Sequence, residues 1–472
     1  MGGLRTLGRR RTRTPTGHLR RGARKKGLSE TLQAEVLSEL DRLLGRSLVR
    51  AADFEALEAA ARRAALSVAA RFLRDRLDAD TSDHKGPHLP CPCGHDTRYA
   101  GRRPKTFESA LGPLTLTRAY YHCPACQHGF CPRDRELGLE GGSLTPAVLR
   151  MVGAVGALVS FDEGSQLLHE LAGVSVSPRQ VERDAERLGE EIANDERTLT
   201  EPLGGQEVQG TAYLGLDGTG IPMRKEELQG RAGKQSDGSS RTREVKLVSA
   251  WTANQVDDDG HPVRDPGSIT YSAAIESAAT QDTDTPLSAF AQRVEREAQR
   301  RDFDHAQRQV VLGDGAVWIW NLTSELFPDA IQIVDKWHAK EHLSEVSKDI
   351  FGAQSPQART WVAARYEELD TGRFDDLLAA VAVRAEDSEE ARKCVGYLTT
   401  NRARMDYPAF EAQGLCTGSG VVEAGCKTAI GTRLKRAGMH WSVRGANAII
   451  ALRCCRLSGR FEDFWERRCQ AA

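Results

Sequence analysis

The sequence predicts an α/β core with the element order β-β-β-α-β-α-β-α and a helical insertion, preceded by smaller helical and cysteine-bearing modules. Three observations lead there. The middle third alternates short apolar runs of strand character with amphipathic segments of helical period. Two of those runs end at an aspartate beside glycine, Asp217-Gly-Thr-Gly220 and Gly313-Asp314-Gly315. Five cysteines crowd into residues 89–135, ahead of the core.

The core elements follow in order. Residues 212–216 read as a strand leading to Asp217, 244–251 alternate as a second strand, and 268–274 form a shorter third. Residues 286–301 are an amphipathic helix through Leu287, Phe290, Val294 and Ala298. Strand 309–312 leads to Asp314, and helix 317–326 follows. Strand 330–334 leads to Asp335, and helix 336–350 closes the run. Three antiparallel strands, then two that join in parallel through helical crossovers, is the succession of the ribonuclease H-like fold. Residues 357–400 read as a helical block with scattered acids, so 351–410 is expected as a helical insertion. The core resumes over 411–472, with a helix from about Gly420 that carries Glu423 and another over 442–457.

Ahead of the core, residues 1–27 hold ten Arg and Lys residues, from Arg5 to Lys26, and no acid. Gly and Pro15 break the segment, which favours a flexible DNA-contacting tail over a mitochondrial presequence. Residues 28–84 have helical period, with a change of composition over 80–90. Residues 85–140 place Cys91 and Cys93, then Cys123 and Cys126, on either side of a hairpin-like span, which is the logic of a zinc ribbon. The first pair is tighter than a standard knuckle, so His88, His95 or Cys131 could replace one ligand; reduced surface cysteines are the alternative. Residues 141–204 are helical. Segments 163–171 and 178–188, joined by a Gly-bearing turn, fit a helix-turn-helix or a plain helical hairpin, with Ser177 as N-cap and Pro178 at the first position.

Composition bounds the function. With 472 residues and 40% apolar content, two to four folded domains are expected at about 100–200 residues each. The formal net charge of −1 gives no overall attraction to nucleic acid. Local charge decides phosphate contact, however, and a second basic cluster holds Arg433, Lys435, Arg436, Arg444, Arg453 and Arg456. No apolar run reaches the roughly 18–20 residues of a membrane span. Eleven cysteines in so long a chain suit a reducing, cytoplasmic setting better than a disulfide framework.

Asp217 and Asp314 are expected on neighbouring strands, where ligands of such sheets gather. Two adjacent carboxylates repel, and a hard cation between them removes that cost; oxygen ligands suit Mg²⁺ or Mn²⁺. Glu423 on a following helix would complete a pair of metal sites about 3.5–4 Å apart, as phosphoryl transfer uses. Each acid alone reads more simply as a turn former or a helix cap. Asp257 and its two following aspartates sit in a Gly- and Pro-bearing turn and read as a solvated loop.

These residues carry a resemblance. Asp217-Gly-Thr-Gly-Ile-Pro-Met-Arg224, Gly313-Asp314-Gly-Ala-Val-Trp-Ile-Trp-Asn321 and Gly418-Ser-Gly-Val-Val-Glu423 resemble the three catalytic blocks of the ISKra-type insertion-sequence transposases. Residues 91–139 and the block Gly431-Thr-Arg-Leu-Lys-Arg-Ala-Gly-Met-His-Trp441 resemble them too, so the likeness spans the chain beyond about residue 85. It implies a metal-binding triad of Asp217, Asp314 and Glu423. It also implies cleavage at element ends, transfer of 3′-hydroxyls into target DNA, and recognition of terminal inverted repeats by the upstream modules. A homo-oligomer holding paired ends, associated with the nucleoid, goes with that activity. Asp335-Lys-Trp-His338 is similar to a D-x-x-H element of related families, and could tune the site or be a surface pair. Arg433, Lys435, Arg436, His440 and Trp441 are expected to contact DNA, the cations at phosphates and the indole by stacking; a core tryptophan is the alternative for Trp441.

Overall fold

The computed structural model describes residues 53–199, 210–231, 240–258, 260–279, 286–418 and 420–471, with isolated residues 37, 38, 41, 42, 233 and 238. The basic tail, and most of the helical region expected over 28–52, lie outside the described residues. The chain divides into two compact units, residues 1–80 and 81–472. In the first, helix α1 (Phe54–Ala79) is capped by Asp53, whose carboxylate accepts from the Ala56 amide at 2.9 Å.

The second unit opens with a four-stranded antiparallel sheet of β1 (His88–Pro90), β2 (Asp96–Ser109), β3 (Gly112–His122) and β4 (Gly129–Phe130). Helices α2 (Pro132–Glu136), α3 (Pro146–Leu158), α4 (Phe161–Leu167) and α5 (Pro178–Thr198) follow. α4 runs on as one π-helical turn, Leu168–Ala172, that stops at Gly173 in the left-handed conformation. Ser177 caps α5 by accepting from the Gln180 amide, with Pro178 in the first turn, as the sequence suggests.

The central sheet has five strands in the order β11-β10-β5-β6-β9: β5 (Thr211–Pro222), β6 (Thr242–Thr252), β9 (Thr270–Ala274), β10 (Arg308–Gly313) and β11 (Ile331–Val334). β5, β6 and β9 pair antiparallel, whereas β10 pairs parallel with both β5 and β11. Two short strands, β7 (Gln255–Val256) and β8 (Pro262–Val263), pair around the turn that holds Asp257. Strand periodicity alone could not find them, because each is only two residues long and β7 is exposed throughout.

Along β6, Val245 and Leu247 face one core and Val248 and Ala250 the other, the period of two that a sheet buried on both faces requires. The first core is filled by α6 (Ala289–Arg300), α7 (Val317–Leu326) and α8 (Lys336–Phe351). The block α9 (Pro356–Asp370), α10 (Phe374–Ala382), α11 (Glu389–Asn401) and α12 (Tyr407–Ala412) adds Leu369, Leu377, Leu398 and Tyr407 to it. The second core is closed by α3 and α5 together with α15 (Val443–Leu457) and α16 (Phe461–Ala471). Between these come α13 (Gly420–Gly425), a π-helical segment Cys426–Gly431 and α14 (Thr432–Leu434).

α5 buries Val181, Ala185, Leu188 and Ile192, so this helix is part of the wall over the sheet. It meets α15 at Gly189, where a Cβ would lie 2.0 Å from the Ala448 carbonyl oxygen. Backbone on backbone cannot give way cheaply. Gly189→Ala is therefore expected to lower stability by about 1–3 kcal/mol, seen as a lower urea midpoint. An unchanged midpoint would mean the two helices slide freely.

Candidate active site and metal centre

β5 and β10 stay in parallel register from Thr211↔Arg308 to Leu216↔Gly313, where their pairing ends. Asp217 and Asp314 are the next residues on each strand, so the two aspartates stand on neighbouring strands just past the last paired residues. The sequence puts Asp217 at a strand end. In the structure β5 runs on to Pro222, because β6 keeps pairing with it and Asp217 sits opposite Leu247. The end that matters is the end of the β5–β10 ladder.

A cleft of about 220 Å³ lies over this point, lined by Leu216, Asp217, Gly313, Asp314, Asp335, Trp337, His338, Glu341 and Glu423. The structure thus brings Asp217, Asp314, Asp335, His338 and Glu423 to one place. Burial raises the Asp217 carboxyl above its usual range, and the charge of Asp314 adds to this. The Cys426 thiol, the Gly218 amide and His338 offset part of the rise. One carboxylate oxygen of Asp314 accepts from the Ala316 amide at 2.9 Å. Glu423 is exposed on α13.

Asp335 and His338 have separable parts. Asp335 is buried and caps α8, accepting from the Trp337 amide at 2.8 Å while its own amide donates to the Gly313 carbonyl at 2.8 Å. That cap puts His338 in the first turn, with Nδ1 3.3 Å from Glu341 Oε2. Glu341 and Trp337 line the cleft, and the Cys426 thiol lies beside Asp217; none of the three stands out in the sequence as a site residue. The signal for Glu341 was present, since a glutamate three positions after a histidine on a helix shares its face. Cys426 follows Glu423 by three residues, and the same rule would have found it.

The donor set at this cleft is all oxygen apart from His338 and suits a hard divalent cation. Among the described residues, the carboxylates of Asp217, Asp314 and Glu423 do not all come within 4.8 Å of one another.

The cysteine site is tighter. Cys91, Cys93, Cys123 and Cys126 have all four sulfurs within 4.8 Å and could hold a metal such as zinc. The Cys91 and Cys126 sulfurs are 3.5 Å apart, and those of Cys93 and Cys123 are 3.7 Å apart. Four thiolates at about 2.3 Å from a tetrahedral zinc would stand roughly 3.8 Å from one another, so the residues fit. His95 Nδ1 lies 3.6 Å from the Cys93 sulfur, beside the cluster rather than in it. Among the described residues, His88 and Cys131 are not in the cluster. One zinc per chain is expected by elemental analysis, lost in Cys126→Ala together with protease resistance of the β2–β3 hairpin. Zinc content unchanged in that variant would take zinc away from this cluster.

The basic block at 433–441 needs correction. Arg433 is fully buried and Trp441 is 6% exposed. The Arg433 guanidinium lies against both the Phe161 and Trp441 rings, 4.7 and 5.2 Å from their centroids, and Nε donates to the Gly156 carbonyl at 3.0 Å. The Trp441 indole N–H donates to the Leu434 carbonyl at 3.0 Å. Neither side chain can meet DNA here. Charge and aromatic content suggested a contact surface, but this guanidinium is held inside the protein by two rings and by a carbonyl in the last turn of α3. Arg436 forms a two-pronged pair with Glu163, Arg444 pairs with Glu190, and Arg453 is buried against the Ala157 and Thr428 carbonyls. Lys435 is exposed and donates to Thr219, two residues beyond Asp217, and His440 is exposed.

No family model and no curated protein matches this sequence. Among solved structures, one that matches is a Drosophila P element transposase strand transfer complex. The identity is 9%, the match covers 71% of this chain and 83% of that one, and the TM-score is 0.25. A likeness this distant establishes neither a shared fold nor a shared activity. No helix among the described residues is long and apolar enough to cross a membrane.

Proposed function

We propose that this chain is a DDE transposase of the ISKra-type insertion-sequence group, with a ribonuclease H-like core, and that it cuts DNA at element ends and joins the 3′-hydroxyls to target DNA. One arrangement carries the reading: Asp217 and Asp314 stand side by side where the parallel β5–β10 ladder ends, and Glu423 shares their cleft. The strand order β11-β10-β5-β6-β9 supports it, being three antiparallel strands extended by two parallel ones. The motif blocks around the three acids supply the family.

Asp217, Asp314 and Glu423 would hold Mg²⁺ or Mn²⁺, and two such ions supply activation of the attacking oxygen and stabilisation of the leaving one. The chain's own contribution is positional. The β5–β10 register sets the spacing of the aspartates, the Ala316 amide orients Asp314, and the Asp335 cap with Glu341 aims His338 at the cleft. Lys435, beside Thr219, is placed to meet a phosphate. The cysteine hairpin and the helices after it would bind the terminal repeats, and two chains would hold the two ends together on cytoplasmic DNA.

The test is cleavage and joining of a labelled duplex bearing the repeats that flank the reading frame, in Mg²⁺ and in EDTA. Metal-dependent 3′-end cleavage with joined products is the expected result. Cleavage without joining would make the chain a nuclease. Binding without cleavage under any condition would make it a DNA-binding protein.

A further inference from the structure

The helical block between Asp314 and Glu423 touches the candidate metal site through Tyr397 of α11. Its hydroxyl donates to the main-chain carbonyl of Asp314 at 3.0 Å. Its ring lies against Gly315, where a Cβ would come within 2.4 Å of Tyr397 Cε2. Gly315 has a φ of +96°, so the chain turns sharply straight after the aspartate, and the close ring and the turn both exclude a side chain there. The ring is fixed in turn. His342 of α8 packs on it with centroids 4.1 Å apart, and His338 packs on His342 at 5.4 Å.

The Asp314 turn is therefore held from two directions. The Ala316 amide fixes the carboxylate, and Tyr397 fixes the main chain that carries it. The first contact is local to the turn. The second comes from a helix 83 residues further along the chain.

We infer that Tyr397 is a positioning residue for Asp314, through which the helical block sets the metal affinity of the cleft. The inference rests on the reading that Asp314 is a metal ligand. The block then acts mechanically, because any shift of α11 against the sheet moves the Asp314 turn, and with it one metal ligand. A block that merely enlarged the core would need no hydrogen bond to that carbonyl.

Tyr397→Phe removes the hydroxyl and keeps the ring, so the packing on Gly315 and His342 survives. Two measurements on the full-length chain separate the possibilities. Hydrogen exchange over residues 313–318 is expected to quicken by about threefold to tenfold, the effect of one hydrogen bond, with exchange in β5 and β6 unchanged. Mn²⁺ affinity, followed by electron paramagnetic resonance, is expected to weaken by a similar factor, with a fall in melting temperature of no more than about 4 °C. Unchanged exchange over 313–318 would overturn the inference, because the bond would then not hold the turn. Faster exchange with wild-type Mn²⁺ affinity would overturn it too, leaving Tyr397 a purely structural contact. Failure of the wild-type chain to bind Mn²⁺, or binding that survives Asp314→Asn, would instead remove the metal reading on which the inference stands. Gly315→Ala, which forces the ring away, is expected to show both effects more strongly.

Discussion

Asp314→Asn is expected to slow metal-dependent DNA cleavage by about a thousandfold or more, ~4 kcal/mol in the barrier, while the metal-free chain keeps or gains melting temperature. The substitution keeps the shape of the side chain and the acceptor for the Ala316 amide, but removes the charge that would bind a cation. The stability half follows from Asp217. Burial holds that carboxyl above its usual range, and the charge of Asp314 pushes it further. Neutralising Asp314 relieves that repulsion, so function and stability should move in opposite directions, as at other sites built from like charges. Rate measurements in Mg²⁺ and thermal melts in EDTA check both halves. A variant that loses activity by unfolding would show the fall in both.

Arg460→Met is expected to destabilise the chain by about 3–5 kcal/mol. Glu297 is fully buried on α6. Arg460 Nη1 donates to its two oxygens at 3.2 and 2.8 Å, Thr270 donates at 2.6 Å, and Arg300 stands 3.4 Å away. Arg460 also donates to the Tyr271 carbonyl on β9, so it ties α6 to the sheet edge. Removing it leaves a buried carboxylate with only Thr270 and Arg300 beside it. The same network predicts a pH dependence. Burial alone would raise Glu297, but the charges of Arg460 and Arg300 and the hydrogen bonds more than offset it and hold Glu297 at about 2. An unfolded glutamate titrates near about 4.3. The folded pKa is the lower one, so this stabilisation is fully present above about pH 4.3 and is lost as pH falls towards about 2. Urea midpoints at neutral and at acid pH, the latter about midway between those two values, should therefore differ more in the wild-type chain than in Arg460→Met. Equal differences in the two would mean that the pair does not control the acid limb.

Much of this was legible in the sequence, for physical reasons that differ from place to place. The strands of the core could be read because both faces are buried, which leaves near-continuous apolar runs such as Ala212–Tyr213–Leu214. Asp217 and Asp314 could be paired because the expected order of strands made their strands neighbours. The four cysteines could be grouped from spacing alone, although the tight Cys91–Cys93 pair left other ligands open. What could not be read was burial of charge. Arg433 and Arg453 look like a phosphate-binding surface in one dimension, and only the packing of α14 and α15 against the end of α3 shows Arg433 buried against two rings and the Gly156 carbonyl, and Arg453 against the Ala157 and Thr428 carbonyls. The contact of Tyr397 with Asp314 was equally hidden. It joins residues far apart in the chain through a main-chain carbonyl, and no side-chain pattern records such a bond.

The central claim is that Asp217 and Asp314 hold a divalent cation, and a change of ligand tests it most directly. A thiolate is a poor ligand for Mg²⁺, a hard cation, whereas Mn²⁺ tolerates sulfur. Asp217→Cys and Asp314→Cys should each be inactive in DNA cleavage with Mg²⁺ and recover measurable cleavage with Mn²⁺. Full activity of either variant in Mg²⁺ would contradict the claim, because the aspartate would then not be a ligand.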